Sequence, residues 1–264
     1  MKDDERAAGL TVSPPTEPSA IHPVRQLIRY SLARLFASIA VRALFRVRVD
    51  HHERLPAGPA VLCFNHQSWS DPFVLMAVLP WRPRLYFFGP KEANMSRGTR
   101  NRVMIWTGTA VPFKPEKSDL RDASRRVAAI LAHGGVLAIA GEGRIHAGEG
   151  ELLDLSDGAA FFALRAGVPI VPVAINGTSW LAFGRQIRVR LGPPLPVRGR
   201  ASREAVDDLT ARTWTALHDL LGGYPDPAPP PPGSLWYRLT EAFNEWPEGG
   251  RPIDAPARGA STRR

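Results

Sequence analysis

The chain has 264 residues, 44% of them hydrophobic and 22% charged, which suits one or two globular domains with a sizeable core. Its 34 Lys and Arg against 25 Asp and Glu leave a net charge of +9, which points to an anionic partner: a phosphate-bearing small molecule, nucleic acid or an acidic membrane surface. The single cysteine, Cys63, excludes an internal disulfide and a cysteine metal cluster, the opening MKDDERAAG lacks a signal-peptide core, and the sequence has no run of about 18 uncharged apolar residues to span a membrane.

In chain order, residues 1–23 are polar and carry four prolines, and they read as a disordered arm. Residues 24–49 read as a basic amphipathic helix. Leu27, Ile28, Leu32, Leu35, Phe36, Ile39 and Ala43 recur at helical spacing among Arg25, Arg29, Arg34, Arg42, Arg46 and Arg48. Such a helix lies in an anionic membrane interface, or packs its apolar side on its own domain with the arginines in solvent; the spacing fits both. Arg46 to Asp50 also has the look of a short strand.

Residues 50–222 alternate apolar runs with helical patterns. Ala60 to Phe64 is a strand, Phe73 to Leu79 a helix and Arg84 to Phe88 a buried strand. A short strand runs from the Trp106 turn to Lys114. A helix follows from Asp119 to His133, with Leu120, Ala123, Val127, Ile130 and Leu131 on one face and Gly134-Gly135 as its stop. Val136 to Ala140 is an apolar strand of the kind covered on both sides. Another helix starts at Asp157. Pro169 and Pro172 then predict an edge or irregular strand over Val168 to Ile175. A strand at Gln186 to Leu191 and a helix from Ser202 to Leu221 complete the domain. Residues 223–264 read as a proline-rich linker, YPDPAPPPPG, a short Trp-bearing helix near Leu235 and a disordered tail. This alternation predicts a single α/β domain with a central mixed, largely parallel sheet flanked by helices and preceded by the basic helix. Ligands of such sheets bind outside the carboxyl ends of the strands.

Two turns lie at such ends. Asn65 to Asp71, NHQSWSD, carries a histidine and an aspartate five residues apart, an offset that only an irregular turn can close. Asp71-Pro72 also fits a plain helix start, with Asp71 as N-cap and proline next. Gly141 to Arg144 follows the apolar strand. Other chemistries fit poorly. The dinucleotide pattern fails at His146, where its third glycine belongs, and neither a Walker lysine nor a Gly-x-Ser-x-Gly elbow occurs. Cys63 sits inside an apolar strand and reads as core. His51, His52 and His66 match no zinc spacing, so no metal site is expected. The arginines interleave with aliphatics and no nucleic-acid module is present, which disfavours nucleic acid as a partner. What remains is a histidine base with an aspartate, and two turns bearing the cations Lys114 and Arg144. That set suits attack by the alcohol of a phosphate-bearing acceptor on an activated acyl group.

These blocks, in this order, resemble the 1-acylglycerol-3-phosphate O-acyltransferase (PlsC-type) family of glycerolipid enzymes over roughly residues 45–195. Asn65, His66 and Asp71 match its Asn-His-x-x-x-x-Asp motif. Gly108 to Lys114 resembles its glycine-led strand, with lysine in place of arginine. Glu142, Gly143 and Arg144 match its Glu-Gly block, with Gly141 in place of proline. Val168 to Val173, with Pro172, matches its proline-bearing strand, and Lys91 stands where the family often has lysine. The resemblance implies catalysis by His66 and Asp71, with Lys114, Glu142, Gly143 and Arg144 lining the acceptor's phosphate site and Asn65, Gly108 and Pro172 supporting the motifs. It implies no bound cofactor, acyl-CoA or acyl carrier protein as donor, and a lysophospholipid acceptor, foremost 1-acylglycerol-3-phosphate. It also implies a peripheral or monotopic place on an anionic membrane, at its cytoplasmic face. A different lysolipid acceptor, or a non-catalytic lipid-binding relative that keeps the turn, stays open.

Overall fold

A computed structural model of the protein describes residues 22–90, 99–113, 117–145, 148–225, 227–229, 231, 233–241 and 244. Helix α1 (Pro23–Leu44) leads into strand β1 (Arg46–Asp50) and a 3-10 turn at His52–Arg54. There follow β2 (Ala60–Phe64), α2 (Asp71–Val78), β3 (Leu85–Pro90), α3 (Thr99–Thr107), β4 (Ala110–Phe113), α4 (Lys117–Ala132) and β5 (Val136–Ala140). The chain continues through α5 (Gly158–Ala166), β6 (Ile170–Asn176), β7 (Gln186–Leu191), α6 (Arg203–Leu221) and α7 (Leu235–Glu241).

The strands form a seven-stranded sheet in the order β1-β7-β6-β2-β5-β3-β4. Every neighbouring pair is parallel except β6 and β7, so the sheet is mixed and largely parallel, as predicted. Helices cover both faces. Leu62, Phe64, Leu85, Val173 and Ile187 pack with α1 and α2 on one side; Val61, Cys63, Leu137, Ile139 and Ala174 pack with α4, α5 and α6 on the other. That double cover is why β2 is buried at all five positions and reads as an unbroken apolar run. Helix ends follow local chemistry. Gly167, at φ +66°, ends α5, and the Ser202 hydroxyl accepts from the Ala205 amide to start α6.

Three expectations are corrected. The strand with two prolines is no edge: β6 lies between β2 and β7, with all seven residues buried. Pro169 precedes it. The Pro172 carbonyl accepts from the Gly192 amide, so its imide nitrogen faces the β7 side, just before the paired stretch that starts at Val173. The imide forfeits the reciprocal bond to the Gly192 carbonyl, at the end of the β6–β7 pairing, and is turned away from β2, so the pairing on that side keeps its donors. Leu120 is exposed, although the rest of its predicted face in α4 is buried.

The basic helix differs most. It ends at Leu44 rather than 49, and residues 46–50 join the sheet as β1. It packs on the domain, but not through its apolar stripe. Gln26, Tyr30, Arg34, Ala37 and Val41 are buried, while Leu27, Ile28, Leu32, Leu35, Phe36 and Ile39 face outward. Arg34 is 1% exposed and survives burial because its guanidinium donates to the Tyr30 hydroxyl and the Leu79 carbonyl and lies 4.7 Å from the Trp81 ring centroid. Ser38 and Arg42 both donate to the Ala77 carbonyl at 3.0 Å. The side chains of α1 thus satisfy carbonyls at the carboxyl end of α2 that the helix itself leaves open.

Candidate active site

Parallel pairing of β2 and β5 sets Phe64 beside Ala140, so the loops that leave these strands emerge side by side. The first is the His66 turn. Its Asp71 side chain has no exposure, and that of His66 has 11%. His66 Nδ1 lies 2.8 Å from Asp71 Oδ2. The same oxygen accepts from the Gln67 and Ser68 amides at 2.8 and 2.9 Å, so the turn wraps around the carboxylate. A carboxylate only accepts, which puts the ring proton on Nδ1 and leaves Nε2 as the acceptor. Asp71 is not the N-cap expected. Ser70 holds that position, and Asp71 is the first helical residue, its side chain turned back to the histidine.

The second loop braces the first. Glu142 Oε2 accepts from the His66 amide at 2.8 Å, and Oε1 accepts from the Leu153 amide at 2.9 Å. Glu142 thus holds two backbone amides, one from each loop. Gly143, at φ +65°, turns the chain so that Arg144 is exposed just past the brace. Gly141 is required by space. A Cβ there would stand 2.7 Å from Leu155 Cδ2 and 2.8 Å from Cys63 Sγ. Burial, aided by the charge of Glu142, pushes the Cys63 thiol up to about 12, which removes it as a nucleophile and confirms it as core.

Asn65 clips the turn to the neighbouring strand: its side chain donates to the Ile175 carbonyl at 2.9 Å and accepts from the Ile175 amide at 2.7 Å. Pro172, expected as motif support, sits in the same strand, level with Cys63. Gly108, at φ +69°, makes the turn from α3 into β4, and its carbonyl accepts from Gln26 of α1. Lys114 and Lys91 lie outside the described residues.

Sequence reasoning missed a further set. The Gln67 carboxamide donates to the Gly148 carbonyl at 3.1 Å and accepts from the Thr178 hydroxyl at 3.3 Å. Next to Gly148, Glu149 is 2% exposed. It accepts from the Gly177 amide at 2.7 Å, from the Ser179 hydroxyl at 2.5 Å and from Arg185 at 2.9 Å. Arg185 also donates to the Gly177 carbonyl and stacks 3.8 Å from the Trp180 ring centroid. This buried ion pair fastens the loop after β5 to the loop after β6, with Gln67 between them. The Asn176-Gly177 pair was the one available signal, a turn at a strand end beside β2. Among the described residues, no group of three or more His, Cys, Asp or Glu is placed to hold a metal ion.

A family model described as Acyltransferase matches residues 46–176. The chloroplastic 1-acyl-sn-glycerol-3-phosphate acyltransferases of Arabidopsis thaliana and Brassica napus are each 25% identical to this chain, over 158 and 156 residues. The alignments cover 59% and 58% of this chain and 43% and 44% of those relatives, so the chain spans less than half of their length. The crystal structure of the 1-acyl-sn-glycerophosphate (LPA) acyltransferase PlsC from Thermotoga maritima has the same fold. Its TM-score is 0.59 at 18% identity, covering 78% of this chain and 86% of that one. With the motifs, the paired loops and the fold in agreement, residues 46–176 carry an acyltransferase-family domain.

Proposed function

We propose that the protein is an O-acyltransferase that moves a fatty acyl group from a thioester to the free hydroxyl of 1-acylglycerol-3-phosphate, giving phosphatidate. The observation that carries this reading is His66 Nδ1 held 2.8 Å from the buried Asp71 carboxylate, which leaves Nε2 to take a proton. The acceptor hydroxyl gives its proton to Nε2 as its oxygen attacks the thioester carbonyl. The tetrahedral adduct collapses, the C–S bond breaks, and the imidazolium returns the proton to the leaving thiolate. Asp71 fixes the tautomer and balances the imidazolium, as an aspartate does in serine hydrolases. The reaction needs no acyl-enzyme, and Cys63, buried with its thiol pKa pushed up, is unsuited to form one. The chemistry is the same whether CoA or a carrier protein bears the thioester.

Charge supports the acceptor. A phosphate monoester carries close to two negative charges near pH 7, against one for a diester headgroup. Exposed Arg144, next to the Glu142 brace, is in reach of such a group, and Lys114 is its proposed companion. The relatives from Arabidopsis thaliana and Brassica napus are named for the same acceptor. A panel of lysolipids with one labelled acyl thioester tests this. Lysophosphatidate should give the highest kcat/KM, and Arg144→Ala should raise its KM about tenfold or more with little change in the donor's, as loss of a binding contact does. Equal use of acceptors with and without the monoester, indifferent to Arg144→Ala, would place the phosphate elsewhere.

The same reading puts the protein on a membrane surface. Among the described residues no helix is long and apolar enough to cross a membrane. The outward stripe of α1, with Phe36 75% and Ile39 61% exposed, supports seating in the interface, with Arg25 and Arg29 beside anionic headgroups.

A further inference from the structure

The sheet carries a second cationic surface, apart from α1 and from Arg144. In β1 and β7 alternate side chains point the same way, and parallel pairing sets Arg48 beside Arg188 and Asp50 beside Arg190, with Arg46 at the top of the column. The intervening Val47, Val49, Ile187 and Val189 pack into the core on the α1 side, so the arginines stand on the opposite face, exposed or half-buried. The column is crowded with like charge. Among the described residues, Asp50 serves it: its two carboxylate oxygens take Arg48 at 2.8 Å and Arg188 at 3.1 Å. Burial first, then the neighbouring Arg188, lowers the pKa of Arg190, with Arg48 adding to the repulsion and Asp50 opposing it. Arg190 donates to the Gly222 carbonyl at 2.7 Å, so the column holds more positive charge than Asp50 neutralises, and an anionic partner would offset the excess.

Register puts this column at the catalytic end of the sheet. Val173 is level with Phe64, the last residue of β2, and with Leu191 of β7. Arg190 and Arg188 therefore lie one and three residues past that level, in the direction of the His66 turn. At ordinary strand spacing β7 and β1 are about 10 and 14 Å from β2. The surface is an open sheet face rather than the concave cleft that small ligands occupy. It is also turned away from the apolar stripe of α1, so a membrane seated on that stripe does not cover it.

We infer that this face docks an acidic carrier protein that presents the acyl thioester on a flexible arm, a step that rests on the acyl-transfer reading. The arginines steer and orient the carrier, and the arm spans the two or three strands to His66. The test compares one acyl group delivered as carrier-protein thioester and as acyl-CoA, for the wild type, Arg46→Glu/Arg48→Glu and the milder Arg46→Gln/Arg48→Gln. Charge reversal should lower kcat/KM for the carrier thioester about tenfold or more, with the neutral variant intermediate and raised salt weakening the wild type likewise. Turnover of acyl-CoA, which also reports an intact fold, should change less than about twofold. Unchanged use of the carrier thioester overturns the inference. So does an equal loss with both donors, which points to a site for the nucleotide phosphates, or loss of binding to anionic vesicles, which makes the face a lipid contact. If neither donor is used by the wild type, the acyl-transfer reading itself fails, and titration of the unacylated carrier into the three proteins decides the docking alone: salt-sensitive binding weakened by charge reversal supports it, and no binding overturns it.

Discussion

Gly141 shows how a single residue records its surroundings. The family motif places proline here, yet Cys63 Sγ and Leu155 Cδ2 fill the space a Cβ needs, and the Gly141 amide donates to the Phe64 carbonyl at 2.9 Å. Gly141→Ala should destabilise the protein by about 1–3 kcal/mol through overpacking. Gly141→Pro should cost more, because it also removes that hydrogen bond. Combined with Cys63→Ala, which deletes Sγ, Gly141→Ala should be less damaging than the sum of the two single changes. Urea unfolding of the four proteins checks this; strict additivity would mean that the two positions do not compete for space. His66 and Asp71 were legible in the sequence because they share one short turn, and Glu142 was legible through its resemblance to the family's Glu-Gly block, although its partner, the His66 amide, lies 76 residues away. Gly141 was legible only as a departure, since the atoms that exclude a side chain come from residues 63 and 155.

At the scale of elements, the site is a junction of three loops at the ends of β2, β5 and β6. Asn65 joins the first to the last, Glu142 joins the second to the first, and the Glu149–Arg185 pair locks the second to the last. Both members of that pair are 2% exposed or less, so removing one leaves an uncompensated buried charge. Arg185→Ala should therefore destabilise the protein by about 3–5 kcal/mol, read as a lower denaturant midpoint. A loss below about 1 kcal/mol would mean the pair is solvated in solution. The sequence hid this junction because its bonds run between residues 67 and 148, 67 and 178, and 149 and 185, separations that no local pattern encodes. It misdirected outright at α1. Apolar spacing chose Leu27 to Ile39 as the face to bury, whereas the domain buries Gln26, Tyr30 and Arg34, because the carbonyls at the end of α2 need donors more than the sheet needs another aliphatic face. Prolines misdirected at β6 for a similar reason, since which ladder bond a proline forfeits depends on the neighbouring strand.

The whole molecule has two unlike surfaces: the apolar stripe of α1, and the arginine column on the far side of the sheet. Deleting residues 24–48 would test membrane attachment poorly, because it removes most of β1 and the donors that satisfy the end of α2. Leu32→Gln, Phe36→Gln and Ile39→Gln, all on the exposed stripe, should instead release the protein from anionic vesicles while leaving its thermal unfolding within a few degrees of wild type. Flotation unchanged by the triple substitution would take the anchor away from α1. The central claim is one-step acyl transfer with His66 as the base. Its most direct measurement is single-turnover formation of labelled phosphatidate from an acyl thioester and lysophosphatidate on anionic vesicles, for the wild type, His66→Ala and Asp71→Asn. The account predicts that His66→Ala slows the chemical step by about 10²–10⁴-fold while both substrates still bind, that Asp71→Asn slows it strongly, and that no acylated protein accumulates in any of the three. Phosphatidate formed at the wild-type rate by His66→Ala, or label trapped on the protein, would contradict it.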